Sequence, residues 1–215
     1  MKKLTLLFAL ALTLFGFSTA YSQSFNGGLL GGATFSQVDG DRYAGYHHLG
    51  WTAGAFACLP LESHFSVQME LKYALLGAHS DVKEEIEYGY NHFYLDFHYA
   101  EIPLMLRYDL GYFTLGGKSL DFIALELGAS FDFLLKCRES ADFEPEYEST
   151  RWNFFSMTGN AGAHFKLTKH LGVGARFMYS IVPIRFTGYP GWFYNQYYNK
   201  AWQLVLTYGI MAPRK

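Results

Sequence analysis

Five segments of this chain alternate apolar and polar side chains with a period of two. The clearest runs Phe65-Ser-Val-Gln-Met-Glu-Leu-Lys-Tyr73. Phe65, Val67, Met69, Leu71 and Tyr73 share one face; Ser66, Gln68, Glu70 and Lys72 share the other. Successive side chains of a strand point to opposite sides of the sheet, so this segment predicts a strand with one apolar and one polar face. Ile102, Leu104, Leu106 and Tyr108 alternate with Glu101, Pro103, Met105 and Arg107. Ile123 to Phe133, Leu171 to Ile181 and Trp202 to Ile210 repeat the pattern. Weaker strands fit Gly27–Phe35, Leu49–Leu59 and Trp152–Leu167, which brings the expected number to eight.

A two-faced strand serves a soluble sandwich, apolar face inward, or a membrane barrel, apolar face to lipid. The connections separate the two. Ser36–His48, Ala78–Asp96, Lys136–Thr150 and Pro183–Asn199 are long; Pro60–His64 and Thr168–His170 are short, and Gly111–Lys118 is moderately short. Long and short alternate in chain order, as in outer-membrane barrels with short periplasmic turns and longer extracellular loops. The expected fold is all-β: one eight-stranded antiparallel transmembrane β-barrel over residues 25–211, both termini periplasmic. Trp51, Tyr73, Tyr99, Tyr108, Tyr112, Trp152, Tyr179, Trp202 and Tyr208 fall near strand ends, where interfacial girdles use aromatic rings.

The first residues belong to export. Met1-Lys2-Lys3 is basic, Leu4 to Phe17 is apolar except for Thr5, Thr13 and Gly16, and Ser18-Thr19-Ala20 is small. This is the pattern of a cleaved signal peptide over residues 1–20, with a second cleavage position just before Gln23. The run is shorter than the roughly 20 residues of a spanning helix, and no Cys follows it to take a lipid. Composition agrees with an envelope protein: 19% aromatic and 17% charged, against about 25% charged in soluble domains. A net charge of −2 gives no electrostatic case for nucleic acid. Cys58 and Cys137 fall near opposite barrel ends, so no disulfide is expected between them.

Several segments resemble the PorT-like family of outer-membrane β-barrel proteins. They are Gly32-Ala-Thr-Phe-Ser-Gln37 with Asp39-Gly-Asp41 and Gly45-Tyr46, then Gly50 to Leu61, Phe65 to Tyr73, and Tyr99 to Tyr108. The resemblance covers the mature chain and implies an eight-stranded barrel of the OmpA/OmpX kind. It also implies a link to protein secretion, through the family's named member.

The inward faces collect charge of both signs: Glu70, Lys72, Glu101, Arg107, Glu126, Asp132, Arg176 and Lys166. The interior of an eight-stranded barrel is filled by side chains, and buried charges must pair. An interior ion-pair network is therefore expected, centred on Glu70, Lys72, Glu101 and Arg107, closing the lumen. Carboxylates interleaved with cations read as salt bridges, not as a catalytic acid and base. His79 with Ser80, His92 and His98 sit in no nucleophile motif, and His47-His48 has no further ligand at short spacing. No catalytic residue, metal site or cofactor is expected.

The last long connection, Pro183 to Asn199, carries seven aromatics among Asn, Gln and Gly. Tyr189, Trp192, Phe193, Tyr194, Tyr197 and Tyr198 form the expected binding surface, since rings supply area and amides hydrogen bonds. The expected role is non-enzymatic: structural or partner-binding, in contact with outer-membrane lipid and with other envelope or secretion-system proteins. A narrow channel and a lipid-modifying enzyme are the alternative uses of such a barrel.

Overall fold

A computed structural model describes residues 25–40, 45–61, 64–80, 93–141, 147–148, 152–186 and 196–210. Eight strands form the wall: β1 Asn26–Asp39, β2 His48–Pro60, β3 Phe65–His79, β4 Phe93–Asp109, β5 Ile123–Ala141, β6 Phe155–Lys166, β7 Leu171–Ser180 and β8 Gln196–Gly209. Each pairs antiparallel with the next. β1 returns to β8 from Gly28↔Gly209 to Asp39↔Tyr198, which closes the barrel. Closure leaves no free edge along the wall. Residues 185–186 add to β8 and 147–148 to β5 as two-residue pairings at the end opposite the chain termini, here called the distal end.

The phase of the alternation is the one read from the residues. On β3, Gln68, Glu70 and Lys72 are buried in the lumen, while Met69 and Leu71 are exposed on the outer wall. Leu104, Leu106, Leu125, Leu127, Leu204 and Leu206 continue the outer apolar surface around the wall.

Two irregularities shape the wall. The β3–β4 ladder runs from Phe65↔Tyr108 to Met69↔Leu104 and resumes at Lys72↔Glu101. Pro103 lies in the interval, and proline has no N–H to give to a neighbouring strand. On β5, Leu134 pairs with Tyr99 and Lys136 with His98, so Leu135 is the extra residue of a bulge. The bulge reverses the phase: Leu135 faces out and Cys137 faces in. Cys58 and Cys137 are both free and buried, near opposite ends.

Several expectations need correction. Tyr99 and Trp152 are not girdle residues, being 1% and 8% exposed inside the barrel. Tyr99 shares the inward parity of Glu101, and Trp152 precedes β6 and folds over the mouth. Lys166 is not a lumen residue; it is exposed at the rim, 2.8 Å from Asp109. The connection after β4 spans 110–122 and is folded, with a 3-10 turn at Leu110–Tyr112 and a small hairpin. β6 begins at Phe155 because Trp152 turns into the barrel and Asn153 bonds the Ile184 carbonyl instead of a wall strand.

Candidate functional site

The lumen has two storeys. In the half nearer the termini, Arg176 of β7 reaches across the barrel. Its Nη1 and Nη2 lie 2.8 and 2.7 Å from the two carboxylate oxygens of Glu70 on β3, and its Nε donates to Glu126 on β5 at 2.6 Å. β3 and β7 are not neighbours in the wall, so this is a strut between opposite sides. Arg107 Nε is 3.0 Å from Glu126, and Arg107 Nη1 donates to Gln68 at 2.5 Å. Gln68 in turn donates to Glu70 at 2.6 Å. Lys72 donates to Gln203 on β8 at 2.7 Å and lies 3.1 Å from Glu101. Six of the eight charged residues expected in the lumen are thus joined, with Arg176, Glu70 and Glu126 at the centre and not the β3–β4 quartet. Asp132 is buried too, but is met by the hydroxyls of Ser130 and Thr158 instead of by a cation among the described residues.

The long side chains leave the wall beside glycines of the neighbouring strands, Arg176 next to Gly162 and Lys72 next to Gly54. A Cβ at Gly162 would lie 2.9 Å from Arg176 Cγ, and one at Gly54 would lie 2.5 Å from Lys72 Cβ. A side chain at either glycine would collide with the backbone and the base of the side chain beside it on the neighbouring strand.

The distal half of the lumen holds an apolar cluster, flanked by buried polar groups such as Ser36, His48 and Asn199; the inward parity of the strand pattern predicts only the polar part. Ala74, Leu76 and Ala78 of β3 continue the inward row above Lys72; Tyr99, Phe97 and Leu95 do the same on β4 above Glu101. Met178, Ala201 and Val38 complete the ring, with Trp152 and Ile184 lowered onto it from the connections. Trp152 stands edge-on to Phe97 at 4.7 Å and to Tyr197 at 5.6 Å. Arg185 lies over both Trp152 and Tyr197, 5.2 and 5.4 Å from the ring centres, as a paired cation–π contact. Asn153 N–H donates to the Ile184 carbonyl at 2.8 Å, holding the two capping segments together. The signal was present: after Tyr73 the residues Ala74-Leu-Leu-Gly-Ala78 are apolar on both faces. A strand buried on both sides loses its alternation.

Of the expected aromatic surface, Tyr189, Trp192, Phe193 and Tyr194 lie outside the described residues. Tyr197 and Tyr198 are not loop residues. They belong to β8, where Tyr197 packs on the plug and Tyr198 stacks against Tyr179 on the outer wall at 5.8 Å.

One cluster has the residue types of a hydrolytic triad. Ser36 Oγ is 3.1 Å from His48 Nδ1, and His48 Nε2 is 2.7 Å from Asp96. Its wiring is structural. Ser36 donates to the Gly77 carbonyl at 3.0 Å, accepts the Gly77 N–H at 2.8 Å and is 1% exposed. A nucleophile needs a free lone pair and a path for substrate. The cluster instead ties β1 through β4 together where the β2–β3 ladder has ended at Thr52↔Ala74, with Thr34 donating to Leu75 O at 2.7 Å beside it. Of the other histidines, His79 closes β3 just before Ser80 and packs on Tyr94, which also meets the His48 ring; His98 bonds Tyr73, and His92 lies outside the described residues.

A closed eight-strand barrel with an apolar outer wall and a filled lumen invites comparison with known membrane barrels. The structure of Ail, the attachment invasion locus protein of Yersinia pestis, superposes with a TM-score of 0.50 at 15% identity, covering 86% of this chain and 98% of Ail. Neisserial surface protein A gives a TM-score of 0.41 at 12% identity, covering 86% of this chain and 95% of that one. No curated protein sequence matches. Residues 21–185 match the family described as outer membrane protein beta-barrel domain. That match takes in most of the wall from β1 to β7, and with it the chain belongs to the outer membrane protein β-barrel family.

Proposed function

We propose that the protein is a sealed, non-enzymatic outer-membrane barrel that serves as a structural or partner-binding element of the cell envelope. The observation that carries this reading is the filled lumen. The Arg176 strut crosses one half and the Trp152–Ile184 plug fills the other. A conduit would need an open path, and packed side chains fill both halves of the lumen. Chemistry would need an accessible reactive group, and the Ser36 hydroxyl is committed to Gly77.

Residues 1–20 direct export and are removed. The outer apolar wall meets lipid, the termini lie in the periplasm, and the distal end faces outward. The family supports the membrane reading. The name of Ail, whose fold this chain shares, supports contacts made from the outer end. The PorT-like resemblance adds an envelope or secretion assembly as the setting.

Two measurements on the purified protein test this. Folded barrels resist SDS until heated, so the band is expected to shift on boiling. In planar bilayers the same preparation should leave the baseline conductance unchanged. A steady open-channel current would overturn the sealed lumen. Recovery as a soluble periplasmic protein would overturn the membrane placement. A change in lipid A mass on deletion would restore the enzyme reading.

A further inference from the structure

We propose that the hairpin between β4 and β5 is a lipid anchor, seated in the phospholipid leaflet at the end of the barrel that carries the termini. This rests on the membrane placement above. The other two connections at that end, 61–64 and 167–170, are short. This one leaves β4 through the 3-10 turn Leu110–Tyr112 and builds a miniature hairpin, Thr114–Leu115 paired with Lys118–Ser119. Its tip is Gly116-Gly117, both at positive φ (60° and 79°). Glycine takes that conformation without steric penalty, as a tight two-residue hairpin turn requires.

The hairpin is held in place and not left trailing. Leu120 N–H donates to the Phe113 carbonyl at 3.0 Å, and Ser119 Oγ donates to the Gly111 carbonyl at 3.2 Å. Tyr112 stands edge-on to His64 at 5.4 Å, and His64 to Tyr108 at 6.3 Å. So ordered, it still turns its large side chains outward: Tyr112 is 80% exposed, Leu115 74%, Phe113 55% and Phe122 44%. Between Asp109 and Asp121 the only charged residue is Lys118. A turn meant for water has no reason to order a cluster of this kind, and contiguous exposed apolar surface marks an interaction site.

Continuity with the outer wall names the occupant. Tyr108 on β4 packs against Phe65 at 4.9 Å on the lipid-facing surface, and the ring series Tyr108–His64–Tyr112 carries that surface onto the hairpin base. On the other flank, Phe122 leads directly into the outward row Leu125 and Leu127 of β5. Aromatic rings and leucine beside a single lysine form the composition that favours the boundary between acyl chains and headgroups. The hairpin therefore extends the apolar belt on one side and sets how deep the barrel sits.

A nitroxide attached through L115C tests this in vesicles of phosphatidylethanolamine and phosphatidylglycerol. Labels at L127C, on the lipid wall, and K169C, in a short polar turn, serve as references. The native thiols are buried, and unsubstituted protein gives their background. The ratio of relaxation enhancement by oxygen to that by a water-soluble nickel chelate is expected to be several-fold higher at position 115 than at 169, approaching that at 127. A ratio equal to that at 169 overturns the anchor in favour of a solvent-exposed turn. A label reached by neither agent overturns it in favour of a protein contact. The heat-shift assay on the same samples separates this failure from failure of the barrel to insert.

Discussion

Replacing Arg176 by methionine is expected to cost the folded barrel about 3–5 kcal/mol, the range for removing one partner of a buried ion pair. The guanidinium contacts both oxygens of Glu70 and one of Glu126, and all three side chains are essentially inaccessible to water. Without it, Glu70 keeps, among the described residues, the Gln68 amide at 2.6 Å and Lys72 at 3.9 Å. Arg107 remains beside Glu126 at 3.0 Å, so the penalty falls mainly on Glu70. A carboxylate stripped of its partner inside the barrel cannot recover the hydration it gave up on folding. The measurement is the urea midpoint of the heat-shifting band in vesicles. The double variant E70Q/R176M removes the buried carboxylate together with its partner, leaves the Arg107–Glu126 pair intact, and should regain most of the loss. A single-variant loss under about 1 kcal/mol, the scale of an ordinary hydrogen bond, would mean that the strut contributes no more than packing.

Leu127→Arg is expected to cost about 2–4 kcal/mol, the range for arginine on the lipid face near mid-membrane. Leu127 is 65% exposed on the outer wall of β5, in the row with Leu125. Ser130→Arg on the same strand enters a different environment. Ser130 is wholly buried and donates to Asp132, so the added volume meets a filled lumen. The two defects should respond differently to lipid. A thinner bilayer brings position 127 closer to the headgroups and should restore part of its folded yield, whereas the lumen defect should be insensitive to thickness. Folded yield on gels across vesicles of different chain length reads this out. An identical response at both positions would contradict the inside-outside assignment of β5.

The wall was legible in the sequence because a strand reports its own phase. Glu70 and Lys72 faced away from Met69 and Leu71 before any partner strand was known. The strand ends were harder to read. β3 continues to His79 and β4 begins at Phe93; β3 is apolar on both parities over Ala74–Ala78, and β4 there puts the apolar Leu95, Phe97 and Tyr99 inward in alternation with Asp96 and His98, the reverse of the polar-inward pattern lower in the wall. The bulge at Leu135 defeated the pattern for another reason. One extra residue reverses the phase, and only pairing with β4 decides where the register shifts.

The composition of the lumen was determined by the sequence, since every charged member of the ion-pair network sits at the parity its own strand prescribes. Which charge meets which was decided by closure. Arg176 reaches Glu70 over a separation of 106 residues, and that meeting follows from the strand order and the register. Tyr99 and Trp152 mark the same boundary. As residues they suit a membrane interface, but the inward parity of β4 and the fold of the 152–154 segment place them in the plug. Parity is local to a strand, whereas contact across a barrel is a property of the whole closed sheet.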